Sequence, residues 1–328
     1  MSDLIALGNA HVERGELDEG LARIEEGLAL DPESAFGWYS KGCALGQSGR
    51  DEEAVDAYRR CAELAPERAL PWYNMGNALQ RLGRLDEALR AFRTAGELDP
   101  DDPGLLINEG RLLDDAGHHE EAIALYDRAL EMGDDLVAWS NRGNSLKALG
   151  RYEEAIASYA EAFKLDEKDR ASVFGLGYCL MRLGQDQDAL EVFDDALKDY
   201  PDAAEGFCNR AILRSRAGRH AEAEADLRRA AELDPGTPNI WGNLGEVLGK
   251  LDRWGEAVGC FDRALAAEDG YAPSLFGKAR ALANLGRWAE AEECARRFLE
   301  AADKEDEWAS AARGILALAR NRTGSSPV

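Results

Sequence analysis

No run of eighteen apolar residues occurs in the 328-residue sequence, so it offers no membrane-spanning helix. Cys-x-x-Cys is missing as well. Cys43, Cys61, Cys179, Cys208, Cys260 and Cys294 stand far apart, which argues against a disulfide framework or a zinc site and for a reducing cytoplasm. There are four histidines, and the one suggestive cluster, His118-His119-Glu120-Glu121, has no third ligand at a recognisable spacing. It reads as the polar start of a surface helix, so no metal and no cofactor are expected. Phosphate-binding glycine loops, Gly-x-Ser-x-Gly and His-Glu-x-x-His do not occur; no catalytic residue is assigned and enzyme activity is not expected. Met1-Ser2-Asp3-Leu4 lacks the basic start and apolar run of a signal peptide. Positive charge is scarce: 39 Lys+Arg against 63 Asp+Glu give a net charge of -24, which opposes nucleic acid and anionic membranes as partners.

What the sequence does hold is 45% hydrophobic residues, enough for a large core, arranged in a repeat. Gly-Arg-Leu-Asp-Glu-Ala-Leu (83–89) and Gly-Arg-Tyr-Glu-Glu-Ala-Ile (150–156) are near copies, and similar text recurs at intervals of 34 or 33 residues. Nine units follow end to end: 1–34, 35–68, 69–102, 103–135, 136–169, 170–203, 204–237, 238–271 and 272–305. Position 8 of each unit is small, as in Gly42, Gly76, Gly110 and Gly143, and so is position 20, as in Ala54, Ala88 and Ala122. Small residues on two helices let their backbones approach, and bulky residues at position 24, among them Tyr58, Phe92, Tyr126 and Tyr159, fill the space beside them. Position 15 is glycine in eight units, with Asp252 the exception, where one helix ends and the chain turns. Pro32, Pro66, Pro100, Pro201 and Pro235 close the second helix at position 32.

Trp-Tyr-Asn-Met-Gly-Asn-Ala (72–78), with Gly83, Glu87-Ala88, Phe92, Ala95 and Pro100 after it, resembles the tetratricopeptide-repeat family, and the resemblance covers 305 of 328 residues. It implies an all-α fold, a right-handed superhelical solenoid of antiparallel helix pairs, with helix A of each pair on the concave side and helix B on the convex side. Departures are local. Arg210 and Arg214 stand where apolar residues usually do, and repeat 9 carries Ala295 at position 24 and Phe298 at position 27. A capping helix is expected over 306–320, with Trp308, Ala312, Ile315, Leu316 and Ala319 on its buried face, followed by a flexible tail over 321–328.

At 100° per residue, positions 4, 7, 8 and 11 of helix A share one face, and positions 2, 6, 9 and 13 the other. In the family that second face lines the groove. Position 6 holds Asn74, Asn108, Asn141, Asn209 and Asn243, and position 9 holds Asn9, Asn77 and Asn144. Asparagine is a poor helix-interior residue, but its amide offers donors and an acceptor together. A row of such amides is similar to the asparagine ladder in the repeat region of the protein O-linked N-acetylglucosamine transferases. It implies binding to the backbone of an extended peptide; the same amides could instead bridge adjacent repeats. Positions 1–14 of the nine units hold fourteen Lys or Arg against seven Asp or Glu, which gives a groove less negative than the exterior and basic in repeats 5–7. Arg111, Arg142, Lys147, Arg182, Arg216 and Arg280 are the cations expected to select acidic side chains or a terminal carboxylate. The carboxylate clamp for chaperone tails is not matched. From repeat 3 its places hold Tyr73, Asn77, Asn108, Val137 and Asn141, so the amides are present and the basic members are not.

The expected function is a non-catalytic adaptor whose groove takes a protein or peptide partner. The alternatives are a scaffold that self-associates through solenoid ends or edges, and a regulatory subunit of a separately encoded enzyme.

Overall fold

The computed structural model describes residues 2–301 and 308–323. The chain divides into two compact units, Met1–Gly175 and Leu176–Val328. Among the described residues all regular structure is helical. Unit 1 pairs α1 (Ser2–Glu13) with α2 (Leu17–Leu30), α3 (Ala35–Gln47) with α4 (Asp51–Leu64), and α5 (Ala69–Arg81) with α6 (Leu85–Leu98). It continues with α7 (Pro103–Asp115) on α8 (His119–Met132) and α9 (Leu136–Ala148) on α10 (Tyr152–Leu165). The boundary falls inside α11 (Arg170–Arg182). Unit 2 holds α12 (Asp186–Asp199), α13 (Ala204–Arg216) on α14 (His220–Leu233), and α15 (Pro238–Lys250) on α16 (Trp254–Ala267). It ends with α17 (Ala272–Asn284) on α18 (Trp288–Ala301), and α19 (Ala309–Thr323). Odd-numbered helices to α17 are A helices and even-numbered ones B helices.

The pairing follows from size. A Cβ added to Gly143 would lie 2.6 Å from the ring of Tyr159, and one added to Gly76 would lie 2.8 Å from Phe92. Each ring thus occupies the volume that its glycine leaves empty. Tyr126 and Tyr159 are fully buried, each worth roughly 1.5–3 kcal/mol of transfer free energy or more. The turn after each A helix needs a left-handed residue. Eight glycines supply it, and Asp252 adopts φ 59° in the same place.

Side-chain caps start several A helices. Ser34 accepts from the Gly37 N–H, Asp102 from Gly104 and Asp135 from Ala138. Pro103, Pro238 and Pro273 stand in the first turns of α7, α15 and α17, where no intrahelical N–H is lost.

A polar series ties neighbouring pairs together on the B side. Position 7 of one repeat meets position 25 of the repeat before it: Lys41 with Glu25 at 2.7 Å, Glu109 with Arg93 at 3.1 Å, Arg142 with Asp127 at 2.6 Å, Arg210 with Asp194 at 2.7 Å and Lys278 with Asp262 at 2.6 Å. The charges are reversed at Glu109, where burial pushes the carboxyl above its ordinary range against the pull of Arg93. Arg210 and Arg214 are explained by buried Asp226, which both guanidiniums clasp. Burial alone would lower the pKa of Arg210, but Asp226 and Asp194 more than offset it and leave it raised.

The size swap in repeat 9 has its partner. Phe298 is fully buried with Leu275 and Ala312, its ring centroid 5.5 Å from that of Phe276. The final helix extends beyond its expected end. It runs to Thr323, past 320, because no glycine or proline follows Gly314 before Gly324. Trp308 precedes the helix and stacks on Phe276; Ala309, Ala312 and Ala319 are buried on the helix, and Ile315 and Leu316 pack half-buried against the core as expected. Residues 302–307 and 324–328, which hold the expected start of that helix and most of the expected tail, lie outside the described residues.

Candidate functional site

The fate of each position 6 amide is decided by position 5 of the preceding repeat. Asn74 donates to Tyr39 Oη at 3.1 Å, Asn108 to Tyr73 Oη at 3.1 Å and Asn243 to Cys208 Sγ at 3.5 Å. These three amides bridge successive A helices, and Asn108 also donates to the Gly104 carbonyl at 2.7 Å. In the repeat before Asn141 that place holds Ile107, whose side chain has no acceptor, and the Asn141 side chain makes no hydrogen bond among the described residues. Asn77 and Asn209 likewise keep both ends of their amides unbonded among the described residues. Asn144 is used as an acceptor, by Tyr159 Oη at 2.8 Å and Lys147 Nζ at 3.1 Å. These amides are therefore mixed: three bridges, three unbonded and one acceptor.

The cations separate in the same way. Arg142 was expected in the groove and is not there. It reaches Asp127 on α8 and Ser158 on α10, both at 2.6 Å, so it belongs to the B side. Position 7 lies at the edge of the packed face, and a long guanidinium stem escapes outward from it to the nearest carboxylate. Lys41, Arg210, Arg214 and Lys278 are turned the same way. Five of the fourteen cations counted over positions 1–14 thus turn to the B side, and the A helices keep fewer cations than that count. Arg111 is exposed beside Gln80 at 3.4 Å. Arg182 donates to Tyr178 Oη at 2.8 Å and lies over its ring.

In unit 2 the structure brings Arg216, Asn243 and Arg280 into one place. A hollow of about 250 Å³ opens between α13 and α15, with Ile212, Ser215, Arg216, Asn243, Glu246 and Lys250 in its wall. A second, of about 270 Å³, opens between α15 and α17, with Asn243, Glu246, Tyr271, Phe276, Arg280 and Trp308. Asn243 and Glu246 belong to both, so the hollows adjoin over three A helices. Asn209 lies on α13, less than one turn before Ile212. Glu246 is fixed by an ion pair with Arg280 and rests over Gly277, where a Cβ would come within 2.9 Å of its Oε1. Burial pushes the Tyr271 phenol up, so it stays a neutral hydroxyl. Amides, a hydroxyl, rings and three cations in a recess can hold a backbone and sort side chains.

Phe276 stands at position 5 of its repeat, where an aromatic can serve a groove pocket; that Tyr271 and Trp308 join it in one wall could not be read in advance, since Trp308 comes from beyond the repeats. Lys250 was visible at position 13, the register of Arg216, but lay outside the predicted set. His118 and His119 pair with Glu121 and Asp114, and no cluster fit for a metal occurs among the described residues. No described helix is long and apolar enough to cross a membrane.

Residues 5–69 and 67–135 match tetratricopeptide-repeat family models, and residues 133–326 match the model described as the Cilia and flagella-associated protein 70 C-terminal domain. The chain is similar to Small glutamine-rich tetratricopeptide repeat-containing protein 2 of Mycosarcoma maydis, 29% identical over 80 residues. That stretch is 24% of this chain and 23% of that protein, so the match spans under a quarter of the relative's length. Two solved structures share the fold. A chain of the APC/C hetero-tetramer Cut9–Hcn1 is 19% identical with a TM-score of 0.61, covering 81% of this chain and 52% of that one. A tetratricopeptide repeat protein from Parabacteroides merdae is 16% identical with a TM-score of 0.60, covering 77% and 99%. Proteins built from this repeat generally mediate protein–protein interaction and assembly. With the helix pairs, the size-matched small residues and rings and the family matches together, the chain belongs to the tetratricopeptide-repeat family, residues 133–326 to the branch of the Cilia and flagella-associated protein 70 C-terminal domain.

Proposed function

We propose that this protein is a non-catalytic adaptor that holds an extended segment of a partner protein against its A helices, chiefly over α13, α15 and α17. The observation that carries the reading is the pair of adjoining hollows that share Asn243 and Glu246. Asn209 has an unbonded amide for a peptide backbone, while Lys250, Arg216 and Arg280 ring the recess. In unit 1 the unbonded amides of Asn77 and Asn141 are the corresponding groups, with Arg111 and Lys147 beside them. Six free cysteines support a reducing, cytoplasmic setting.

The test is photo-cross-linking in lysate of the native host. A photoreactive residue replaces Asn209 on the A side or exposed Arg229 on the B side. Discrete partner proteins cross-linked from 209 and not from 229 are expected. Equal yields from both positions, or none from 209, would overturn the reading.

A further inference from the structure

The two hollows differ in chemistry. In the first, Lys250 Nζ donates to Ser215 Oγ at 2.9 Å and meets no carboxylate among the described residues. Arg216 stands on the same wall, exposed, sharing its charge with Asp186 at 3.2 Å. In a chain of net charge -24, a cation without a carboxylate is a site of attraction for one. The second hollow has no spare charge, because Glu246 already neutralises Arg280. Its wall is instead aromatic. Trp308 and Phe276 stack with ring centroids 5.6 Å apart and planes 7° apart, and Trp308 is 38% exposed.

We infer that the two hollows take an acidic side chain and a bulky apolar side chain from a single extended segment, three residues apart. The inference rests on the adaptor reading above. The spacing comes from the helices. α13, α15 and α17 touch in succession, so the hollows lie one helix spacing apart, about 8–10 Å. A polyproline II segment rises about 3.1 Å per residue with three residues per turn, which puts residues i and i+3 on one face about 9 Å apart. A β-strand puts same-face residues about 7 or 13 Å apart, and neither distance fits. Asn243 stands between the anchors; its Nδ2 is spent on Cys208 Sγ and Asn239 Oδ1, which leaves its Oδ1 to accept from a backbone N–H, and Glu246 beside it repels a second acid.

The experiment is selection of a random dodecapeptide display library on the intact chain. Selected peptides are then titrated against wild type, Lys250→Gln and Trp308→Ala; both side chains are exposed, so the variants should keep the fold, as circular dichroism would verify. Expected is enrichment of an Asp or Glu three residues from a bulky apolar residue. Lys250→Gln should weaken binding about tenfold and erase the preference for Glu over Gln. Trp308→Ala should erase the preference for the bulky residue and keep that for the acid. Peptides that bind with another spacing, or without either anchor, or whose preferences survive both variants, would overturn this inference and leave the adaptor reading standing. A library that yields no binder would overturn both.

Discussion

Asn108 donates its amide to the phenol oxygen of Tyr73 at 3.1 Å, joining α7 to α5 across a repeat junction. The side chain of the homologous Asn141 has no such acceptor and no hydrogen bond among the described residues. The same residue type in the same register therefore does two jobs. Asn108→Ala should lower stability by about 1 kcal/mol, the worth of a half-buried hydrogen bond. Asn141→Ala should stay within about 0.5 kcal/mol of wild type. Urea midpoints of the two variants decide it, and equal midpoints would contradict the bridging role.

Asp226 is buried and accepts from Arg210 at 2.9 and 2.7 Å and from Arg214 at 2.8 Å. Removing its charge leaves two guanidiniums in the interior with Asp194 alone. Asp226→Asn should destabilise unit 2 by about 3–5 kcal/mol. Hydrogen exchange should show the loss concentrated in α13 and α14; a uniform small effect would mean that the pair adds little.

Asp252 holds the left-handed turn, φ 59°, that glycine holds in eight other places. A left-handed non-glycine residue is strained by roughly 1–2 kcal/mol, less for Asp. Asp252→Gly should therefore raise stability by about 0.5–1 kcal/mol, the gain trimmed by glycine's freedom in the unfolded chain. A lower melting temperature would show that the Asp side chain stabilises the turn by more than the strain.

Glu109 is pushed above the ordinary carboxylate range by burial, and Arg93 only partly restores it. The folded state then holds its proton over a window in which the unfolded state has released it. That contribution to stability is complete below the unfolded value and is lost as pH rises through the folded one. Glu109→Gln keeps an oxygen for Arg93 and removes the titration. Stability measured from pH 4 to 7 should fall less steeply for the variant, and parallel curves would remove Glu109 as the cause.

The helix pairs were legible because their packing is local: a glycine at position 8 and a ring at position 24 lie 16 residues apart in one repeat. The candidate site was only partly legible because its chemistry is set between repeats. Asn74 and Asn141 look alike until Tyr39 and Ile107 in the preceding repeats are compared. Arg142 sits on a helix whose opposite face carries the amides, and only its contact with Asp127 shows which way the stem turns. Trp308 belongs to no repeat, so no periodicity could assign it to the wall beside Phe276.

The match between positions 8 and 24 makes a two-way test. Tyr159 is fully buried and held by its bond to Asn144 at 2.8 Å, so it cannot yield to a methyl group 2.6 Å from its ring. Gly143→Ala should cost about 1–3 kcal/mol by overpacking, and Tyr159→Leu about 2–4 kcal/mol by the cavity it leaves. Repeat 7 already combines alanine and leucine at these places, in Ala211 and Leu227, both buried. The double variant should therefore lose less than the two single losses together, with a coupling of at least about 1 kcal/mol. Simple additivity in a double-mutant cycle would mean that ring and glycine do not specify one another.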